Sequence, residues 1–369
     1  MRRTLATAVL VVAGGLVGLA RARAQDAPPA PAPAPAPAPI PPDDAKGVAR
    51  VAFGSCSKED APQPIWGPLL ATAPDVYVAL GDTVYGDTTD MDVLRAKYAR
   101  QAAVPGFAAL RRSCRFLATW DDHDFGRNDA GAEYPAKQAS KDVFLEFLGE
   151  PATSPRRAHE GVYDAVVLGP PGRRVQVILL DTRWFRGPLA RKKADDGRPG
   201  AYVPEPDPSV PMLGEAQWAW LAERLREPAD VRLVASSIQV VAEDHGFEKW
   251  ANLPRERERL FATIRAAEAR GVVFLSGDRH LAEISMMDGG VGYPLYDVTA
   301  SAINRSAKRW RPLEENRHRV ATMNVGDNFG MVEVAWGDDP TLRLEVRDDA
   351  GEVAHRVQLP LSVLAPKGR

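Results

Sequence analysis

The chain has 369 residues, 45% of them hydrophobic, 26% charged and 7% aromatic, an ordinary globular composition. Its formal net charge of −2 excludes recognition of nucleic acid or of an anionic membrane through bulk charge, and no segment reads as a sequence-specific nucleic-acid reader.

Arg2 and Arg3 precede an apolar run from Leu5 to Leu19, and Ala22-Arg23-Ala24 has a small-x-small cleavage pattern. Residues 1–24 therefore read as a signal peptide. The expected location is exported, periplasmic or extracellular, with no transmembrane span once the signal is removed. The arginine pair also resembles a twin-arginine signal, which allows folding and metal loading before export. Residues 25–47 are a Pro/Ala-rich linker, because repeated proline fixes φ and removes donors. Residues 48–365 read as one α/β domain.

Six apolar, β-branched runs predict strands buried on both faces: 48–56, 75–82, 114–122, 175–183, 231–241 and 271–280. Helical patterns lie between them. "MDVLRAKYARQAAV" is one. "GEAQWAWLAERLREP" puts Trp218, Leu221 and Leu225 on one face and closes at Pro228. A third starts near Pro254 and ends at Gly271. "YPLYDVTASA", "FGMVEVAW", "LRLEVRD" and "VAHRVQL" read as consecutive antiparallel strands. The expected architecture is an α/β sandwich of two packed β-sheets flanked by helices.

Four strand ends carry potential ligands, and open α/β sheets bind ligands beyond those ends. Cys56 in "FGSCS" is a structural thiol, half of a disulfide with Cys114, or a thiolate ligand. In "LGDTVYGD", Asp82 either caps a turn or bridges cations, and Tyr85 lies three residues on. In "TWDDHDFGRNDAG", a solvated acidic loop is the plain alternative; otherwise Asp122 and His123 act as ligand and proton donor. Arg127 and Asn128 there suit an anionic substrate. Asp278 and His280 in "LSGDRH" are two apart, so a straight strand places them on one face. His245 is a candidate pocket residue, whereas His159, His318 and His355 read as surface residues. Segments 186–211 and 304–324 read either as plain surface loops or as a lid or rim over a site. One polynuclear metal site explains all four strand ends together.

The ordered motifs "FGSCS", "LGDTVYGD", "WDDHDFGRNDAG", "LDTRWFR", "LGEAQWAWL", "SSIQVV", "FEKW" and "SGDRHLAEIS" span roughly residues 50 to 305. In these the chain resembles the alkaline phosphatase D (PhoD-like) family of metallophosphoesterases. The resemblance implies a metallophosphoesterase catalytic domain at 48–365 and hydrolysis of phosphomonoesters, phosphodiesters or both. It implies small phosphate esters as substrates, with phosphodiester polymers as a further class. It also implies a centre of Fe3+ and Ca2+. By position, Cys56, Asp82, Tyr85, Asp122, Asp278 and His280 match metal ligands, and Asn128 matches a metal or phosphate contact. Asp82 also stands among the catalytic positions, and His123 matches the histidine that aids protonation of the leaving group. Only the Pro/Ala spacer occupies the place of a β-sandwich domain that precedes the catalytic domain in some members.

Thiolate, phenolate and three carboxylates are five negative charges in one pocket, which one trivalent and one divalent cation balance. Sulfur and phenolate donors suit ferric iron and all-oxygen donors suit calcium, with zinc or manganese left open. The same argument weighs against a Cys56–Cys114 disulfide. The rivals are an exported phosphate-binding protein without turnover and a disulfide-stapled structural domain on a Pro-rich stalk. Metal content and free thiols separate them.

Overall fold

Strands form where the apolar runs predict them, but they are shorter. In the computed structural model, which describes residues 47–366 apart from 196, 310 and 311, they are in chain order β1 (Arg50–Gly54), β2 (Val76–Leu80), β3 (Arg115–Thr119), β4 (Asp164–Leu168), β5 (Val175–Leu179), β6 (Val231–Ala235), β7 (Val272–Ser276), β8 (Ala282–Met287), β9 (Leu295–Ala300), β10 (Arg319–Met323), β11 (Asn328–Ala335), β12 (Thr341–Asp348) and β13 (Val353–Pro360). The signal sequence and nearly all of the Pro/Ala tract lie outside the described residues. No described helix is long and apolar enough to cross a membrane.

The strands make a six-stranded sheet, β13-β12-β11-β1-β2-β3, and a seven-stranded sheet, β10-β8-β9-β7-β6-β5-β4. β1, β2 and β3 are mutually parallel, as are β5, β6, β7 and β9. Period-two alternation, with both faces covered, explains why β2 and the part of β1 after Arg50 are apolar and buried. Val51, Phe53, Val76, Val78 and Leu80 face the core between the sheets, with Leu179, Leu233, Val273 and Val298. Ala52, Tyr77 and Ala79 face the other way, against Trp66, Leu94, Phe107 and Phe144 from the covering helices.

The helices follow their local signals. Helix Met91–Ala103 starts where the Asp90 side chain accepts from the amides of Asp92 and Val93. Helix Pro254–Ala266 opens on proline. Helix Gly214–Arg226 buries Trp218, Leu221 and Leu225 as predicted, one turn apart along the face that meets the second sheet.

Other expectations are corrected. Helices Trp66–Ala71, Pro105–Ser113 and Lys137–Leu148 and strand β4 have no counterpart in the sequence reading. Their apolar residues are too few or too interrupted to show a clear period. The run at 231–241 stops being a strand at Ala235, and beyond it the Ser236 hydroxyl donates to the Ile238 carbonyl in a turn. β9 is antiparallel to β8 but parallel to β7, so the C-terminal strands are not all antiparallel. Segment 304–324 is not all loop, since β10 adds an edge strand to the second sheet.

Candidate active site

The parallel strands of both sheets end at a common edge, and the predicted residues follow those ends. Cys56 comes two residues after β1, Asp82 two after β2, Asp121 and Asp122 just after β3, and Asp278 two after β7. A one-turn helix, Asp122–Phe125, follows β3 directly. The Asp124 carboxylate caps its start by accepting from the Asp121 amide at 2.6 Å. That turn, not a longer strand, presents the acidic cluster.

Cys56, Asp82, Asp278 and His280 all adopt positive φ, at 59°, 49°, 70° and 55°. The left-handed region costs a non-glycine residue roughly 1 kcal/mol or more, and such strain gathers at functional sites because the surroundings enforce it. The enforcing contacts are visible. The Ser57 amide donates to the Asp82 carbonyl at 2.8 Å, and the Ser301 hydroxyl accepts from the His280 amide at 2.9 Å. Gly81 has φ of +98°, and a Cβ there would meet Asp121 at 2.4 Å, so only glycine lets the β2 and β3 turns approach.

Three overlapping groups result: Cys56, Asp82 and His280; Asp82, Asp122 and His123; and Asp121, Asp122 and Asp278. Within each, one donor atom per residue lies within 4.8 Å of the others. Asp82 and Asp122 are the shared members, so the groups form one continuous row of donors. Cys56 Sγ stands 3.4 Å from Asp82 Oδ2, and the Tyr85 hydroxyl 3.1 Å from His280 Nε2. The expectation that Asp278 and His280 share a face is corrected. β7 ends at Ser276, the left-handed turns send the two residues to different groups, and His280 joins Cys56 while Asp278 joins Asp122.

His123 Nδ1 lies 2.7 Å from Asp87 Oδ1, and its ring centroid is 4.3 Å from that of Tyr85. Arg127 and Asn128 are exposed on the turn after the acidic helix. The Asp129 amide, donating to Asp122 Oδ2 at 2.6 Å, ties that turn to the donor row. From segment 186–211, the Tyr202 hydroxyl donates to Asp129 Oδ2 at 2.6 Å, so this segment touches the rim. His245 is buried in a network with Gln239 and Lys249, and burial holds its imidazole far below its usual pKa. His159, His318 and His355 are half-buried rather than on the surface. His159 stacks on Tyr163, His318 meets Glu243 and His355 meets the Thr322 carbonyl.

Burial dominates the electrostatics. It pushes the Cys56 thiol up to about 11 and Asp278 up to about 7. Burial, then the neighbouring Cys56 and Asp122, holds Asp82 well above the carboxylate range, and burial does the same to the Tyr85 phenol. Asp122 goes the other way. Burial opposes its charge, but Arg183, His123 and the amides of Asp129 and His123 together outweigh it. A thiol, a phenol and several carboxyls so close together cannot all ionise unassisted, and multivalent cations are what such a donor set fits.

Sequence reasoning missed the groups that hold this row in place. Ser301 sits 3.3 Å from Cys56 Sγ. It follows β9, and only the parallel pairing of β9 with β7 brings it to this edge. Glu59, fully buried, accepts from the Tyr85 amide at 3.1 Å and pairs with Lys97 at 2.9 Å. Arg183, in the "DTR" motif, pairs with Asp121 at 2.5 Å and Glu248 at 2.6 Å. Asp87 lay within a quoted motif, and its side-chain role needed the distance to His123.

Cys56 and Cys114 are both free and buried. A thiol reagent is expected to find no fast-reacting thiol in the native protein and two after denaturation. A Cys56–Cys114 disulfide would leave none.

The family model for PhoD-like phosphatases matches residues 51–315. The chain belongs to the PhoD-like phosphatase family. Alkaline phosphatase D of Bacillus subtilis (strain 168) is 25% identical over 211 residues, which are 50% of this chain and 34% of that protein. The match thus spans about a third of the curated relative. Among solved structures, "Structure of PhoD" has a TM-score of 0.69 at 18% identity, covering 87% of this chain and 70% of that one. A purple acid phosphatase, PPD1, from yellow lupin (Lupinus luteus) seeds has a TM-score of 0.59 at 13% identity, covering 88% and 55%. These likenesses show the fold, a metallophosphoesterase-like pair of mixed sheets flanked by helices. The PhoD-like family match includes every strand end that carries a donor.

Proposed function

We propose that the protein is an exported, metal-dependent phosphoesterase that hydrolyses phosphomonoesters, phosphodiesters or both. The observation that carries this reading is the unbroken donor row from Cys56 through Asp82 and Asp122 to Asp278, in a chain of the PhoD-like family. Cys56, Asp82, Tyr85 and His280 would hold ferric iron, for which thiolate and phenolate are suited donors. Asp82, Asp122, Asp278 and Asn128 would hold calcium through oxygen. Bound cations supply neutralisation of the phosphoryl charge and activation of water as the nucleophile.

The protein's own groups do the rest. Arg127 and Asn128 stand exposed at the rim, where guanidinium and amide donors can meet phosphoryl oxygens. As the water oxygen bonds to phosphorus and the P–O ester bond breaks, His123 Nε2–H gives its proton to the leaving oxygen. Asp87 at Nδ1 holds the ring in the orientation and protonation state for that transfer. Burial opposes the imidazolium charge, yet the bond to Asp87 and the charges of Asp82 and Asp122 outweigh it. In the metal-free protein His123 is pushed up to about 10. His123→Ala is expected to lower kcat about 10²-fold or more for alkyl phosphates, and much less for p-nitrophenyl phosphate, whose leaving group needs no proton. Equal losses on both would remove the acid role.

The test is metal analysis of mature protein purified without chelator, an absorbance scan for a tyrosinate-to-iron band, and turnover of p-nitrophenyl and bis-p-nitrophenyl phosphate. Iron with calcium, and turnover lost on chelation and restored on reloading, is expected. Metal-loaded protein that turns over neither ester would overturn the reading.

Removing metal should also make stability depend on pH. Asp124 and Asp278 ionise near pH 4 in the unfolded chain, but burial keeps them protonated up to about 7 in the fold. The folded state therefore binds more protons between those values, and their contribution to stability falls as pH rises through that window. The melting temperature of chelated protein is expected to fall between pH 5 and 8, and metal should reverse the loss. A melting temperature that rises over that range would contradict the electrostatic picture.

A further inference from the structure

Among the cations near the donor row, most are already committed. Arg183 pairs with Asp121 and Glu248, Arg279 with Asp278 and Glu314, Lys58 with Asp60 and Lys308 with Asp327. Arg305 differs. It is exposed, and among the described residues no carboxylate pairs with it. Its guanidinium carbon lies 4.8 Å from the centroid of the Tyr85 ring. That ring is itself 4.3 Å from His123, and its hydroxyl is 3.1 Å from His280. An uncommitted cation therefore stands at the aromatic residue that touches both the sulfur-bearing group and the candidate proton donor.

Its placement is built by the chain on either side. The Asn304 side chain accepts from the Lys58 amide at 2.7 Å and donates to the Lys58 carbonyl at 2.9 Å. The main chain of Ile303 donates to the Ser55 carbonyl, so this segment hangs directly on the turn that carries Cys56. On the other side, the Ser306 hydroxyl donates to Asp327 at 2.5 Å. Arg305 is thus exposed at its tip but fixed at its root. That limits the entropy lost when it closes on a ligand.

We infer that Arg305 is a specificity-determining contact that binds the non-bridging oxygens of a phosphomonoester dianion at the mouth of the site. This rests on the phosphoesterase reading above. The planar guanidinium matches two phosphoryl oxygens at once. A monoester dianion offers three terminal oxygens and two charges. A diester offers two terminal oxygens and one charge, and its second ester group stands where the fork would bond. Arg305 therefore selects for the monoester.

The experiment compares wild type with Arg305→Gln and Arg305→Lys, all metal-loaded, on p-nitrophenyl phosphate and bis-p-nitrophenyl phosphate. It adds a thermal-shift titration with inorganic phosphate. Arg305→Gln is expected to lower kcat/KM for the monoester at least about tenfold more than for the diester, chiefly through KM, and to lose the phosphate shift. Arg305→Lys should recover only part of both, because ammonium lacks the fork. Unchanged kinetics in Arg305→Gln would overturn the inference and leave the function standing. So would equal losses on both esters with reduced metal content, which would mean that Arg305 supports Tyr85 instead. If wild type turns over neither ester, the function falls and the phosphate titration decides Arg305 alone. A shift present in wild type and lost in Arg305→Gln sustains the anion contact; an equal shift in both, or none in wild type, overturns it.

Discussion

Asp82→Asn is expected to abolish metal retention and to lower phosphoester turnover by about 10³-fold or more, the largest functional loss of any single change. Asp82 is the member shared by the sulfur-bearing group and the His123 group. Its Oδ2 faces Cys56 Sγ at 3.4 Å, and its Oδ1 accepts from the His123 amide at 3.4 Å. Asparagine keeps the shape and the amide contact but removes the negative charge that Asp82 would supply to a bound cation. The change should spare the fold. Burial, Cys56 and Asp122 hold the Asp82 carboxyl well above its ordinary range, so a charge at this position is costly without metal and its removal relieves that cost. Chelated Asp82→Asn should therefore melt no lower than chelated wild type, while the unchelated variant loses its bound metal and its kcat/KM collapses. Full activity in this variant would remove Asp82 from the centre.

Arg183→Met is expected to produce the largest stability loss, about 3–5 kcal/mol by urea unfolding, since it strands buried charges. The Arg183 side chain is 0% exposed and lies between Asp121 and Glu248. Burial works against its charge, but the two carboxylates outweigh burial and hold it firmly protonated. Without it Asp121 loses the cation it pairs with, while Glu248 keeps Arg186 at 3.0 Å. Asp121 and Asp122 are adjacent in chain and in the acidic group, so metal affinity should fall with stability. Arg183→Lys should rescue only in part, because one ammonium cannot serve two carboxylates in the geometry of the guanidinium. A loss below about 1 kcal/mol would mean that this buried ion pair contributes little to the stability of the fold.

Much of the fold was legible for a local reason. A strand buried on both faces must be apolar throughout, so 75–82 and 271–280 were visible as strands, and a helix such as Gly214–Arg226 must repeat its apolar face. The helices that went unread, Trp66–Ala71 and Lys137–Leu148 among them, are short or carry buried polar residues such as Ser140 and Lys141. Their stability comes from packing against the first sheet, and no local pattern records that. β10 is an edge strand with one exposed valine and no fully buried residue, so it lacks a strand's usual signature.

The site divides in the same way. Residue type and position at a strand end were enough to single out Cys56, Asp82, Asp122, Asp278 and His280, because a thiol and acids directly after apolar strands are costly unless something binds there. Local sequence could not say which of them meet. That depended on left-handed turns that part Asp278 from His280, and on a glycine at 81 that brings the turns after β2 and β3 into contact. It depended too on the direction of β9, which delivers Ser301, and on Arg183, which reaches Asp121 from 62 residues away. The sequence by itself determined the candidate donors, the strands that carry them and the turn residues between. Only the tertiary structure decided their grouping, their partners and the placement of Arg305 over Tyr85. These contacts join segments far apart in the chain, and the pairing and packing of two sheets settle such distances, which no short-range pattern encodes.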